Sequence, residues 1–373
     1  MSGCPFLNLQ ETTREQRTEL DEAISRVLDH SNYLFGPEVT RFEEDFAVWV
    51  GAKACVGAAN GTAAIEMALF GAGVKPGDKV VTQTNTFAAT GLAILHVGAT
   101  PVFVDCDEWG YMNLEEAAKA CGDPTVKALI VVHLYGACPD MDRVVALAKD
   151  TDTLLIEDCA QAHGTAWRGQ KVGTFGVAGC FSFYPGKNMG AMGDAGAVVT
   201  DDLALAAAAR TYGTLGAPTK YNHTCPGINS RMDTLQAAVL LVKLKNLDGW
   251  NAARRQVAAW YEKHFEGLSH LFMLHPPSLT HPSMTHTYHL AVFRLVDPSK
   301  REALMDHLQS KSVGCLIHYP YPCHTMEAFL AHNGESHPVS EALSGSIFSL
   351  PIHPYVTEKQ VIQIRNEVEV FFT

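Results

Sequence analysis

The chain has 373 residues, 47% hydrophobic and 18% charged, with 28 Lys and Arg against 40 Asp and Glu and a formal net charge of −12. That composition supports a large buried core in one big domain or two unequal ones. It excludes a disordered or fibrous chain, and its acidic balance argues against nucleic-acid binding. Ten scattered cysteines without a C-x-x-C pair, no basic-then-apolar leader and no apolar run of membrane-spanning length lead to the expectation of a reduced, cytoplasmic protein.

In chain order, Leu20, Ile24, Val27 and Leu28 share one helical face, and Phe42, Phe46, Trp49 and Val50 share another. "NGTAAIEMALFGAG" (60–73) reads as a glycine turn entering a helix. Apolar, β-rich runs follow at 79–83, 100–107, 128–136, 153–161, 179–184 and 196–200, with helix candidates near 88–97, 114–121 and 140–149. Continuous apolar strands alternating with helices predict a largely parallel sheet covered on both faces. The last two runs are so close in sequence that one strand there is expected to be antiparallel. A long helical stretch (230–267), a Pro/His-rich passage (275–289), the strand-like "YHLAVFRL" and a helix near 299–311 come next. This change of texture predicts a large domain over 1–245 and a smaller α+β domain over 246–373.

Ligands of open α/β sheets bind beyond the carboxyl ends of the strands. Asn60–Thr62 opens a helix there and offers N–H and hydroxyl donors to a phosphate. Asp158 closes an apolar strand, where a carboxylate is costly unless paired. Lys187 stands in "FSFYPGKNMGAMGDAGAVVT" (181–200) among aromatic, apolar and glycine neighbours. These residues alone leave Lys187 as a surface loop lysine, as the partner of Asp158 in a structural salt bridge, or as an amine that shares a cofactor with it. Pyridoxal phosphate needs an amine, a carboxylate, phosphate donors and a flat apolar group together. Lys187, Asp158, Gly61 and Thr62 with Ser182, and Phe87 supply these in turn. His275, His281, His286 and His289 are dense but irregularly spaced, so structural or solvent-facing roles are expected for them, and no metal site. His163 reads as a buttress behind Asp158, and Cys159 and Cys180 as packing.

Eight stretches carry a resemblance over nearly the whole chain: "NYLFGPEVTRFEEDFA", "NGTAAIEMAL", "TQTNTFAAT", "IEDCAQAHG", "FSFYPGKNMGAMGDAGAVVT", "GINSRMDTLQAAVL", "IHYPYPCH" and "FSLPIHP". In this order they resemble the pyridoxal-phosphate-dependent sugar aminotransferases of the DegT/DnrJ/EryC1/StrS group. The resemblance implies the aspartate-aminotransferase-like α/β fold (fold type I): a large domain with a mainly parallel mixed sheet and a smaller α+β C-terminal domain. It implies that Lys187 forms the Schiff base and shuttles protons, with pyridoxamine phosphate as the intermediate form. Asp158 would pair with the ring nitrogen, Gln161 would lie near O3′, Gly61, Thr62 and Ser182 would hold the phosphate, and Phe87 would stack on the ring. Asn229 would reach the phosphate site of a neighbouring subunit, which makes the active unit a homodimer.

Members that dehydrate the sugar carry histidine at the lysine position, so Lys187 favours transamination. The sequence F-S-F-Y, where members that aminate sugar C4 often read F-S-F-H, resembles the enzymes that aminate C3 of a dTDP-3-keto-6-deoxyhexose. Tyr184, His318 and Tyr319 would then lie near the hexose or its pyrophosphate. The reaction expected is amino transfer from an amino acid, L-glutamate first, to that sugar nucleotide. The alternatives are C4 amination of a UDP- or dTDP-4-keto sugar, a dehydratase or lyase, and a non-catalytic regulator of the same fold. Ala195 departs from the family's commoner glycine, which matters only if the local φ is positive.

Overall fold

The computed structural model describes residues 3–332 and 335–373. Its centre is a seven-stranded sheet of β1 (Ala54–Ala58), β2 (Lys79–Gln83), β3 (Thr100–Val104), β4 (Val126–Val132), β5 (Leu154–Asp158), β8 (Ala178–Ser182) and β9 (Gly196–Thr200). The two-residue strands β6 (Ala166–Trp167) and β7 (Gln170–Lys171) lie outside it, where β6 pairs with β7 on one side and with β11 (Met284–Thr285) on the other. The order is β1-β9-β8-β5-β4-β2-β3. β9 pairs antiparallel with both its neighbours and every other pairing is parallel. The sheet is therefore α/β and mixed, as expected, with β9 as its one reversed strand.

The strands are continuous apolar runs because helices cover both faces. One face packs Val81, Leu129, Val131, Leu155 and Phe181 against Phe42, Phe46 and Val50 of helix Pro37–Val50. The other packs Val80, Ala128, Ile130 and Ile156 against Ile65, Ala68 and Leu69 of helix Gly61–Gly71. No helix among the described residues is long and apolar enough to cross a membrane.

A separate three-stranded antiparallel sheet, β10 (Leu271–Met273), β12 (Ala291–Leu295) and β13 (Ile347–Leu350), has its own core. There Tyr261, Phe265, Phe293, Leu304, Phe348 and Ile364 meet. Cys4, from the start of the chain, also belongs to this core, and its backbone N–H donates to the Ser312 carbonyl at 2.9 Å.

Two expected elements differ. The stretch 230–267 is not one helix but two, Thr234–Leu244 and Leu247–Phe265. Asn246 stands at the junction without capping the second helix, and its side-chain N–H donates instead to Gln16 Oε1 at 3.4 Å. Leu28 does not share the buried face of Leu20 and Val27 but is 52% exposed. Helix Arg17–His30 meets Ala238, Val239 and Val242 along the narrower stripe of Leu20, Ala23 and Val27.

Candidate active site

Strand alternation sends successive side chains to opposite faces, and the pair Glu157–Asp158 at the end of β5 shows the consequence. Glu157, fully buried, accepts from the backbone N–H of Gly173 (2.7 Å), Phe175 (2.7 Å) and Gly176 (2.9 Å) and shares a bond with His133 Nε2 (2.9 Å). Cys159 stands close enough to complete a metal-like trio, but four contacts already use the carboxylate's accepting capacity. Glu157 is thus a structural clamp on the turn that leads into β8. Glu157→Ala leaves three backbone donors without an acceptor, and at ~1–3 kcal/mol each a loss of at least ~3 kcal/mol is expected in urea unfolding.

Asp158 faces the other way, 6% exposed, with Oδ2 accepting from Thr90 Oγ1 at 2.8 Å and Oδ1 from the Ala160 N–H at 3.0 Å. Next in the sheet, β8 ends at Ser182, beside the turn that opens helix Gly61–Gly71. Asn60 caps that helix by accepting from the Ala63 N–H at 2.9 Å, so the cap leaves the N–H groups of Gly61 and Thr62 for another acceptor. A β-carbon at Gly61 would lie 2.6 Å from Ser182 Cβ, so only glycine brings the helix start this close to the serine. Two backbone donors and the hydroxyls of Thr62 and Ser182 at a helix N-terminus are groups that could hold an anion.

Lys187 follows β8 in a turn held by its own N–H to the Tyr184 carbonyl (2.8 Å) and by the Ala191 N–H to the Phe183 carbonyl (2.7 Å). Gly190 is needed there because a β-carbon would sit 2.2 Å from the Pro185 carbonyl oxygen. The Lys187 side chain is half-buried, and no hydrogen bond or ion pair holds Nζ among the described residues. Burial pushes its pKa down to about 8, against a smaller upward pull from Asp158. It is neither a solvated surface lysine nor the hydrogen-bonded partner of Asp158. Ala195 is buried and does not have a positive φ, so alanine is accommodated in place of the commoner glycine.

The remaining predicted residues gather around this point, with one exception. Gln161 is buried, its Oε1 accepting from the Tyr135 N–H at 2.7 Å and its Nε2 donating to the Tyr319 hydroxyl at 2.7 Å. The Phe87 ring is 56% exposed, 5.3 Å from that of Tyr319. His318 bonds Ser349 Oγ at 2.9 Å through Nδ1 and stacks on Phe6, and its pKa is pushed down to about 4 by burial and then by Lys187. Tyr184 is 57% exposed beside the lysine turn. Asn229 is the exception: it is exposed, and the contact it makes is a backbone bridge to Thr214. Exposed Leu34, Phe35 and Leu215 meet the segment 228–233 that carries it: the Leu215 N–H donates to the Ile228 carbonyl at 2.9 Å, Leu34 bridges to Asp233, and Arg231 lies over the Phe35 ring.

Three residues outside the predicted set join it. Thr90, one turn into helix Ala88–His96, holds Asp158, and its place in "TQTNTFAAT" was the available signal. Asn188, next to the lysine, bonds the His289 ring at 3.0 Å. Nothing in the sequence sets His289 apart from the histidines around it.

The mixed sheet, with a lysine unbonded among the described residues and a buried aspartate at its carboxyl edge, is that of an α/β protein with a ligand site at the strand ends. The chain belongs to the DegT/DnrJ/EryC1/StrS aminotransferase family, whose model matches residues 14–369. It is 40% identical to the dTDP-3-amino-3,6-dideoxy-alpha-D-galactopyranose transaminase of Aneurinibacillus thermoaerophilus, over 98% of both chains. It is 39% identical to the dTDP-3-amino-3,4,6-trideoxy-alpha-D-glucose transaminase of Streptomyces venezuelae, over 98% of this chain and 95% of that one. The crystal structure of S. venezuelae DesV in complex with a ketimine intermediate superposes with a TM-score of 0.94 at 38% identity, covering 100% of this chain and 99% of that one.

Proposed function

We propose that this chain is a pyridoxal-phosphate-dependent aminotransferase that moves an amino group from an amino acid, L-glutamate first, to C3 of a dTDP-3-keto-6-deoxyhexose. The observation that carries the reading is Lys187: a recessed amine with a pKa near 8 and no hydrogen-bond or ion-pair partner among the described residues, in one site with the buried Asp158 carboxylate. The cofactor fits the residues present. The missing β-carbon of Gly61 lets Ser182 close on the helix start, so that a phosphate would meet the Gly61 and Thr62 N–H groups and the Thr62 and Ser182 hydroxyls together. Asp158, braced by Thr90, would hold the pyridine nitrogen protonated, Phe87 would cover the ring with its uncovered face, and Gln161 would lie on the O3′ side. When bound, pyridoxal phosphate supplies the electron sink that lets a proton leave the substrate carbon. Lys187 Nζ, neutral above its pKa, would take that proton and return it, in both halves of the amino exchange.

Tyr184 at the F-S-F-Y position and the names of the two relatives support C3 over C4, and Tyr184, His318 and Tyr319 are proposed to line the hexose site. A homodimer is proposed with it: the exposed apolar patch of Leu34, Phe35 and Leu215 around Asn229 suits a second copy, into whose phosphate site Asn229 would reach. A division at 245/246 into cofactor-binding and C-terminal parts is supported by the second core, to which Cys4 also contributes. Ten free thiols, nine of them buried, fit a reducing cytoplasm.

Mass spectrometry after incubation with pyridoxal phosphate, glutamate and synthetic dTDP-3-keto-6-deoxyglucose is expected to show the 3-amino product. Turnover of a 4-keto sugar instead overturns the position of amination. Absence of any glutamate-dependent amination overturns the enzyme and leaves the regulator.

A further inference from the structure

A chain of amide groups runs beneath the lysine. Asn251 Nδ2 donates to the His163 carbonyl at 2.7 Å, which turns Asn251 Oδ1 toward Asn188 Nδ2 at 2.8 Å. Asn188 Nδ2 also donates to the Thr287 carbonyl at 3.1 Å. A carbonyl can only accept, so both amides have one orientation, and Asn188 presents its oxygen to His289 Nδ1 at 3.0 Å. His289 therefore carries its proton on Nδ1 and a bare lone pair on Nε2. Burial, then Lys187 and then Arg254, keep the ring neutral by holding its pKa well below the ordinary value. Nε2 makes no hydrogen bond among the described residues, and the residue retains accessible surface despite its depth, as Lys187 does. A neutral acceptor with a fixed tautomer thus opens beside the lysine.

We propose that His289 is a substrate-contacting residue whose Nε2 accepts a hydrogen bond from a hydroxyl of the sugar. This rests on the aminotransferase reading and goes beyond the expected structural role for this histidine. The acceptor distinguishes the two substrates. The carboxylates of an amino-acid donor need N–H or O–H partners and are repelled by a bare lone pair, whereas a hexose brings hydroxyl donors.

The test is calorimetric binding to the holoenzyme of two probes: dTDP, which has no hexose, and dTDP-3-amino-3,6-dideoxy-α-D-galactose. His289→Asn retains a donor for Asn188 and lacks the distal acceptor, whereas the longer amide of His289→Gln restores one. His289→Asn is expected to weaken the amino-sugar nucleotide roughly 3- to 10-fold, the effect of one hydrogen bond, with dTDP unchanged and His289→Gln close to wild type. Equal weakening of both probes, or no change in either, overturns the inference. Should His289→Asn fail to fold, His289→Ser, which also lacks the distal acceptor, takes its place: a loss confined to the amino-sugar nucleotide supports the contact, and an equal loss of both probes or no change in either overturns it. A wild-type holoenzyme that binds neither probe overturns the sugar-nucleotide reading itself, an outcome separate from any effect of the variants.

Discussion

Lys187→Ala is expected to lose the absorbance band near roughly 410–430 nm that a lysine-bound pyridoxal phosphate gives, while the protein still folds. Amino transfer should fall by at least ~10²–10⁴-fold, the range contributed by a positioned acid–base group, with a further loss from the missing amine nucleophile. Both outcomes follow from one arrangement. The side chain is withdrawn from most of its water with no carboxylate bonded to it among the described residues, so its charged form is disfavoured, and the amine is substantially neutral near pH 8 instead of above 10. In the wild type, the band should therefore form faster as pH rises through about 8, because only the neutral amine attacks a carbonyl. Stopped-flow mixing of apoenzyme with pyridoxal phosphate between pH 6 and 10 measures this. A midpoint above 10 would show a solvated lysine, contrary to the geometry.

The second large effect is acid destabilisation. His163, His275 and His286 are buried, and burial is the first cause of their lowered pKa values: about 3 for His163, about 4 for His275 and well below the ordinary value for His286. Among the described residues Nε2 of both His275 and His286 lacks a partner, so no acceptor there receives an added proton. Each ring is neutral when folded and takes a proton near 6.5 when unfolded, so the unfolded state binds more protons below that value. The stability they allow is complete above about pH 6.5 and is lost as pH falls toward 4. At pH 5 each contributes about 2 kcal/mol of that loss, and the three together about 6 kcal/mol, a large part of a typical domain's stability. Urea unfolding of the holoenzyme at pH 7.5 and pH 5 checks the total. His163→Leu, which fills the same slot between Phe181 and Phe183, should reduce the loss by about 2 kcal/mol. An unchanged midpoint at pH 5 would mean that these rings reach water on protonation.

Periodicity and chain order were sufficient for much of this molecule. The run at 79–83 is β2 residue for residue, the run at 196–200 is β9, and the helix expected near 114–121 is Leu114–Cys121. These segments were legible because a strand buried on both faces must be apolar throughout, and a helix with one buried stripe must repeat every three to four residues. β1 and the two-residue strands were not, because short segments of small or mixed residues carry no period. Lys187, Asp158 and the Asn60–Thr62 turn were also visible, as polar groups in places where burial makes them costly.

What the sequence could not decide was the partner of each polar group. It left Lys187 open between a solvated loop, a salt bridge and a free amine, since that depends on which side of β5 each carboxylate faces and on what closes around the turn. Folding gives Glu157 to three backbone donors and His133, and Asp158 to Thr90, so neither carboxylate bonds the lysine. His289 is the sharper case, because in sequence it is one histidine among several in a Pro/His-rich passage. Only the packing of that passage against Asn188, 101 positions earlier, assigns its proton and leaves the other nitrogen bare beside the lysine. Local patterns determine which residues must be buried and in what element, because burial is a property of the residue. Hydrogen-bond direction and charge state belong to pairs of residues, and pairs distant in sequence exist only once the chain has folded.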